Sequence, residues 1–123
     1  MASLSEIASW LQAEVLSGEH LLERRVERAH GCDLMSDVLC YSQQDSILLT
    51  GLTNEQAVRT AEVAGMAGMV LVRGKRPSAQ MVEMAQQYQL PLLFTRLSMF
   101  DACGVLYARG LRGNSHFPAK EGD

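Results

Sequence analysis

The sequence lacks any long apolar run. No stretch approaches the roughly 20 residues needed to cross a bilayer, so no membrane partner is expected. Its start, Met1-Ala2-Ser3-Leu4-Ser5-Glu6, lacks the basic segment and apolar core of a signal peptide. Positive charge is not in excess: 11 Lys and Arg stand against 14 Asp and Glu, a net charge of −3. Aromatics make up only 6%, and no stripe of cations interleaves with them, which speaks against nucleic acid as a partner. Cysteine is scarce. Cys32, Cys40 and Cys103 form no even framework, and a reduced, cytoplasmic protein is the expectation.

Signatures of catalysis and metal binding are missing as well. There is no G-x-x-x-x-G-K-[ST] phosphate loop and no G-x-G-x-x-G fingerprint. Gly65-Met66-Ala67-Gly68 is apolar and leads into a strand-like run, so it reads as packing and turn chemistry. His20, His30 and His116 lie away from the loops that could hold a substrate, which argues against a nucleophile triad. His30-Gly31-Cys32 with Cys40 matches no recurrent zinc spacing. The simpler expectation is a histidine at a strand end and two small buried thiols. No enzyme, metal or cofactor is expected. Glu23-Arg24-Arg25 and Glu27-Arg28 form a mixed charge run suited to a solvated surface.

What is present is an alternation. Apolar residues make up 47% of 123, enough for the core of one domain. Three short apolar runs stand out: Ser46 to Thr50, Met69 to Val72 and Leu92 to Thr95. Helical patterns fill the gaps, from Asn54 to Ala64 and from Ala79 to Gln89. Strand, helix, strand, helix, strand is the order of two βαβ units sharing a strand. The runs are continuously apolar, as strands buried on both faces are. Right-handed crossovers then make the three strands parallel. The expected fold is α/β: a three-layer single domain with a mostly parallel central sheet, βαβ units, and helices on both faces.

Helix starts carry cap signals. Ser3 with Glu6, Thr53 with Gln56, and Ser78 and Ser98 each precede a helical pattern as caps do. Gly65 suits a left-handed end to the second helix. Asp33 suits the cap of a short helix through Cys40. Ala13 to Leu16 and Arg25 to His30 read as short strands, the latter at an edge. The last helix is expected from Met99 to about Leu111, with Ala102, Val105, Leu106 and Ala108 inward. Met81 and Met84 fall at core positions, whereas Met66 and Met69 could line an exposed apolar patch and hence a subunit interface.

Parallel strands gather their carboxyl ends on one edge, and open α/β sheets bind ligands there. Thr50-Gly51-Leu52-Thr53 is the first loop on that edge. Gly51 would allow close backbone approach, and the following helix start would offer amides to an anion. Arg73-Gly74-Lys75-Arg76 is the second loop, with three cations in four residues. Thr95-Arg96 opens the third. The candidate ligand-binding set is therefore Thr50, Gly51, Thr53, Arg73, Gly74, Lys75, Arg76, Thr95 and Arg96. A phosphate or nucleotide fits that chemistry. The alternative is that the glycines only turn the chain and the cations stay solvated.

From about Leu4 to Leu111 the layout resembles the DRTGG domain. The pieces are an opening helix, then Ala13-Glu14-Val15-Leu16-Ser17-Gly18, Val26 to His30, and Ile47-Leu48-Leu49-Thr50-Gly51. Ala64 to Leu71 follows, then Gly74 and Pro77, then Leu90-Pro91-Leu92-Leu93. The resemblance implies an α/β module related to the N-terminal domain of HPr kinase/phosphorylase. Similar modules lie between CBS domains in some family II pyrophosphatases and within some phosphate acetyltransferases. It also implies a regulatory or assembly role. Family members commonly carry Gly-Asp-Arg after the central strand and Thr-Gly-Gly after the next. Here those positions read Gly51-Leu52-Thr53 and Arg73-Gly74-Lys75, so the acid-base pair and one glycine are replaced. Two functions are therefore expected in competition. One is a non-catalytic regulatory module, residues 1–113 with a flexible tail at 114–123, that senses an adenine nucleotide or other phosphorylated ligand and forms a homodimer. The other is an assembly module that docks a partner enzyme and holds no small molecule.

Overall fold

Apolar runs become strands and periodic segments become helices in the expected order. The computed structural model describes residues 2–41, 44–113 and 115. The chain runs β1 (Ala2–Ser3), α1 (Leu4–Trp10), β2 (Glu14–Ser17), a 3-10 turn (Glu19–Leu21), β3 (Arg25–Val26) and β4 (Arg28–Gly31). It continues α2 (Met35–Tyr41), β5 (Ser46–Thr50), α3 (Glu55–Val63), β6 (Gly68–Leu71), α4 (Ala79–Gln87), β7 (Leu92–Phe94) and α5 (Met99–Ala108).

Five strands form the main sheet in the order β2-β7-β6-β5-β4. The four from β4 to β7 are parallel, with Ala29 beside Ile47, Leu48 beside Met69 and Val70 beside Leu93. Only β2 is antiparallel, pairing Glu14 with Phe94. Successive strand residues point to opposite faces, and both faces are apolar. Ile47, Leu49, Val70 and Leu93 meet Leu4, Ile7 and Leu11 around α1 and Ala102 and Leu106 of α5. Leu48, Met69, Leu71 and Leu92 meet Val38 of α2, Ala57, Val58 and Ala61 of α3, and Met81 and Ala85 of α4. Helices thus cover both faces, giving the three layers expected of continuously apolar strands.

The N-terminal residues belong to the same body. Strand β2 closes one sheet edge, and the Ser17 hydroxyl donates to the Leu90 carbonyl at 2.8 Å. Gly18 sits at φ +82°, and a Cβ there would come within 2.6 Å of the Pro91 Cα. Only glycine satisfies both the backbone angle and that contact.

Several local expectations need correction. Ser3 with Glu6, Ser78 and Ser98 cap as expected, but α3 is capped by Asn54, whose side chain accepts from the Ala57 amide at 2.9 Å. Asparagine caps better than threonine, and the cap moves one residue past Thr53. Gly65 does take the left-handed position, at φ +71°. Helix α5 stops at Ala108, short of Leu111, and Ala108 is exposed while Val105 is half-buried. Met66 and Met69 are 4% and 0% exposed, so they do not line an exposed patch: both pack into the core beneath α3 and α4, Met69 from β6 and Met66 from the turn before it. Cys40 is exposed and Cys32 only half-buried, against the expected pair of buried thiols. Of the tail expected at 114–123, all but Ser115 lies outside the described residues.

Candidate functional site

Four parallel strands deliver their carboxyl ends to one rim, and antiparallel β2 starts from the same rim. The rim is built in sequence by Asp33 after β4, Thr50-Gly51 after β5, Arg73 to Arg76 after β6, and Thr95-Arg96 after β7. Glu14 completes it at the start of β2.

The first loop is organised by an acid that sequence reasoning assigned elsewhere. The Thr50 hydroxyl and the Gly51 amide both donate to the same Asp33 carboxylate oxygen, each at 2.8 Å. Thr50 is fully buried, and its oxygen accepts in turn from the Leu52 amide at 3.2 Å. The Gly51 amide holds the Asp33 carboxyl below the usual carboxylate range, with the Thr50 hydroxyl and the charges of Arg73 and Lys75 adding to the effect. Asp33 does not cap α2. The amides of Asp37 and Val38 go to the Leu34 carbonyl, and the Asp33 carboxylate turns back onto the sheet.

The second loop is a double left-handed turn. Arg73 and Gly74 take φ +66° and +67°. The Arg73 amide donates to Leu97 at 2.7 Å and the Gly74 amide to Thr95 at 3.0 Å. A non-glycine residue in this region costs on the order of 1 kcal/mol, and those two bonds hold it. The turn lays the Arg73 guanidinium over Gly51, where any Cβ would collide with it. Gly51 therefore serves the approach of an arginine from its own chain. Arg96 lies against Gly74, its Cγ 3.8 Å from where a Cβ would stand.

The remaining members differ in what they face. Thr95 is buried; its hydroxyl donates to the Leu11 carbonyl at 2.8 Å and accepts from the Leu97 amide at 3.3 Å. Its role on the rim is to tie α1 to the third loop. Arg76 forks onto Glu14 with contacts of 3.0 and 3.2 Å and stacks 4.4 Å over the Phe94 ring. The Arg76 bond draws the Glu14 carboxyl below its usual range, and Arg96 adds to this. Thr53 stands half-buried just before the α3 cap. Arg73, Lys75 and Arg96 are exposed. The rim as a whole holds those three cations and Arg76 against Asp33 and Glu14, a surplus suited to an anionic ligand.

Asp33 and Glu14 are the rim residues that the sequence pattern did not single out. Neither belongs to a βαβ loop of the three main strands. Only the sheet order, β4 beside β5 and β2 beside β7, brings them in. A concavity of about 450 Å³, lined by Arg24, Arg25, Gln44, Asp45, Gly65, Met66 and Ala67, lies at the opposite, amino edge. Among the described residues no group of three or more His, Cys, Asp or Glu is placed to hold a metal, and no helix is long and apolar enough to cross a membrane.

Residues 6–107 match the family model of the DRTGG domain. The chain belongs to the DRTGG domain family. No curated protein sequence matches it. Its fold is similar to the crystal structure of the CBS and DRTGG domains of the regulatory region of Clostridium perfringens pyrophosphatase, complexed with activator, diadenosine tetraphosphate. The TM-score is 0.72 at 16% sequence identity, over 85% of this DRTGG chain and 45% of that one. The chain thus spans less than half the length of that structure. At such identity the likeness is one of fold, which the α/β sheet described above shares.

Proposed function

We propose that this DRTGG domain is a non-catalytic regulatory module that senses a phosphorylated ligand, an adenine nucleotide first among them, at the carboxyl rim of its sheet. The observation that carries the proposal is the convergence of exposed Arg73, Lys75 and Arg96 from two consecutive loops. In this reading those three cations take the phosphates. Gly51 and Gly74 let backbone and guanidinium approach, and Thr50 and Thr95 hold the loops in place. Thr53 flanks the site, and Arg76 joins it by exchanging Glu14 for the ligand. Family membership supports a regulatory role, and the similar pyrophosphatase region is described with a nucleotide activator. The same reading places the domain in the cytoplasm, as a homodimer that adjusts a partner enzyme.

The test is thermal unfolding with AMP, ATP, diadenosine polyphosphates and inorganic phosphate. A ligand at about 100 times its Kd adds about 2.7 kcal/mol to stability, which raises Tm by on the order of 8 °C for a domain of this size. No shift with any of these compounds would overturn the ligand site. It would leave the assembly reading, which one observation favours: the outer face of α5 exposes Phe100 and Tyr107 at 84% and 61%.

A further inference from the structure

Gly51 is touched by an acid and a base that do not bond each other. The Asp33 carboxylate, from the loop after β4, accepts from the Gly51 amide on Oδ1. The Arg73 guanidinium, from the loop after β6, lies where a Gly51 Cβ would stand. Arg73 and Lys75 act on Asp33 through charge alone, for the one ion pair among the described residues joins Arg76 to Glu14.

The two acids of the rim differ in what they have left to offer. Each Glu14 oxygen accepts from one nitrogen of the Arg76 fork. Asp33 spends only Oδ1, on both the Thr50 hydroxyl and the Gly51 amide. Its Oδ2 accepts from no described residue, and Asp33 is exposed. Those two bonds favour the ionised carboxyl, and an ionised carboxylate only accepts. Whatever completes Asp33 is therefore a donor. A phosphate is the wrong partner, being an acceptor and of like charge.

Placement narrows the donor. Neighbouring strands lie about 4.8 Å apart, so the loops after β4 and β6 stand roughly 10 Å apart. The Arg73 guanidinium reaches back over Gly51 and narrows that gap. A ligand with its phosphates on Arg73, Lys75 and Arg96 meets Asp33 with the group next to the phosphates. In a nucleotide that group is the sugar. Dinucleotide-binding α/β sheets use an acidic side chain outside the phosphate loop for a ribose hydroxyl in the same manner.

We infer that Asp33 selects a ribonucleotide: its free Oδ2 accepts from a sugar hydroxyl while Arg73, Lys75 and Arg96 hold the phosphates. This rests on the rim site proposed above and names the residue that tells a nucleotide from a bare phosphate chain. A ligand without the hydroxyl leaves the carboxylate unmatched, and sites built around a substrate hydroxyl reject analogues that lack it.

Calorimetric titration of the full chain with ATP, 2′,3′-dideoxy-ATP and inorganic triphosphate tests this. All three carry a triphosphate and differ in what is attached to it. Wild type is expected to bind ATP about tenfold more tightly than the dideoxy compound, the worth of one hydrogen bond to an exposed charged acceptor. Asp33→Asn can keep Oδ1 for Thr50 and Gly51 while placing a donor nitrogen where Oδ2 stood. With circular dichroism unchanged, that variant should bind the two nucleotides within about threefold of each other. It should also bind inorganic triphosphate more tightly than wild type does, because a repelling charge is gone. Equal affinity of wild type for ATP and its dideoxy analogue would overturn the role of Asp33 and leave the phosphate site standing. So would an Asp33→Asn variant that keeps the tenfold preference, or one that weakens all three ligands alike, as mere damage to the loop would. A wild type that binds none of the three would overturn the rim site itself.

Discussion

Replacing Asp33 by alanine removes the acceptor that joins β4 to β5 at the rim. Two donors lose their partner at once, the Thr50 hydroxyl and the Gly51 amide. A hydrogen bond to a charged group is worth about 1.5–3 kcal/mol, with the larger values in protected sites. Asp33 is exposed, so water enters when the carboxylate leaves, and Thr50 keeps its bond from Leu52. The expected loss for the pair is about 1–2 kcal/mol. Urea unfolding reads it directly. With a slope of about 1–3 kcal/mol per molar, the midpoint falls by roughly 0.5–1 M. Asp33→Asn keeps an acceptor oxygen without the charge and should lose about half as much.

The pH dependence has a definite sign. The folded carboxyl is held below its usual range, whereas an unfolded aspartate titrates near about 3.9. The unfolded chain therefore binds the proton first as pH falls, and stability drops with it. The contribution of Asp33 is complete well above pH ~4 and fades as pH falls through the lower, folded value. Wild type and Asp33→Ala should therefore differ at neutral pH and converge in acid. An alanine variant within about 0.3 kcal/mol of wild type at pH 7, or a gap that widens in acid, would refute the role given to these two bonds.

Gly18→Ala is expected to cost about 2–4 kcal/mol, because it forces a side chain into a left-handed turn and against the Pro91 backbone. Thermal unfolding would show it as a large fall in Tm, and a loss below about 1 kcal/mol would contradict the contact. The three thiols should differ toward an alkylating reagent at neutral pH. Cys40 is exposed, while Cys103 is half-buried and burial pushes its thiol up, so mass spectrometry should find Cys40 modified well before Cys103. Reversing charge with Arg73→Glu and Arg96→Glu should abolish any stabilisation by nucleotide while leaving the ligand-free Tm within a few degrees. An unchanged nucleotide response in that double variant would remove the proposed site.

Periodicity and caps carried the fold because they are local. The runs at Ile47, Val70 and Leu93 had to be strands, since each is too short for a helix and too apolar for a surface. Once helices separated them, parallel order followed from the handedness of crossovers, and with it the rim bearing Arg73, Lys75 and Arg96. Competition between neighbours was harder to read. Thr53 and Asn54 are both sound caps, and only backbone geometry chose the second. What the sequence left open was every partner set by sheet order. Asp33 and Gly51 are far apart in the chain, and no spacing rule joins them until β4 lies against β5. Arg76 reads as a free cation until β2 turns antiparallel beside β7 and brings Glu14 to it. Gly51 reads as a place of close backbone approach, and only the fold shows the Arg73 guanidinium lying over it. Local pattern determines which segments form and which face they bury, because burial of a periodic face is a property of the segment alone. Which polar groups then meet depends on the order in which the segments pack, and that is decided only in three dimensions.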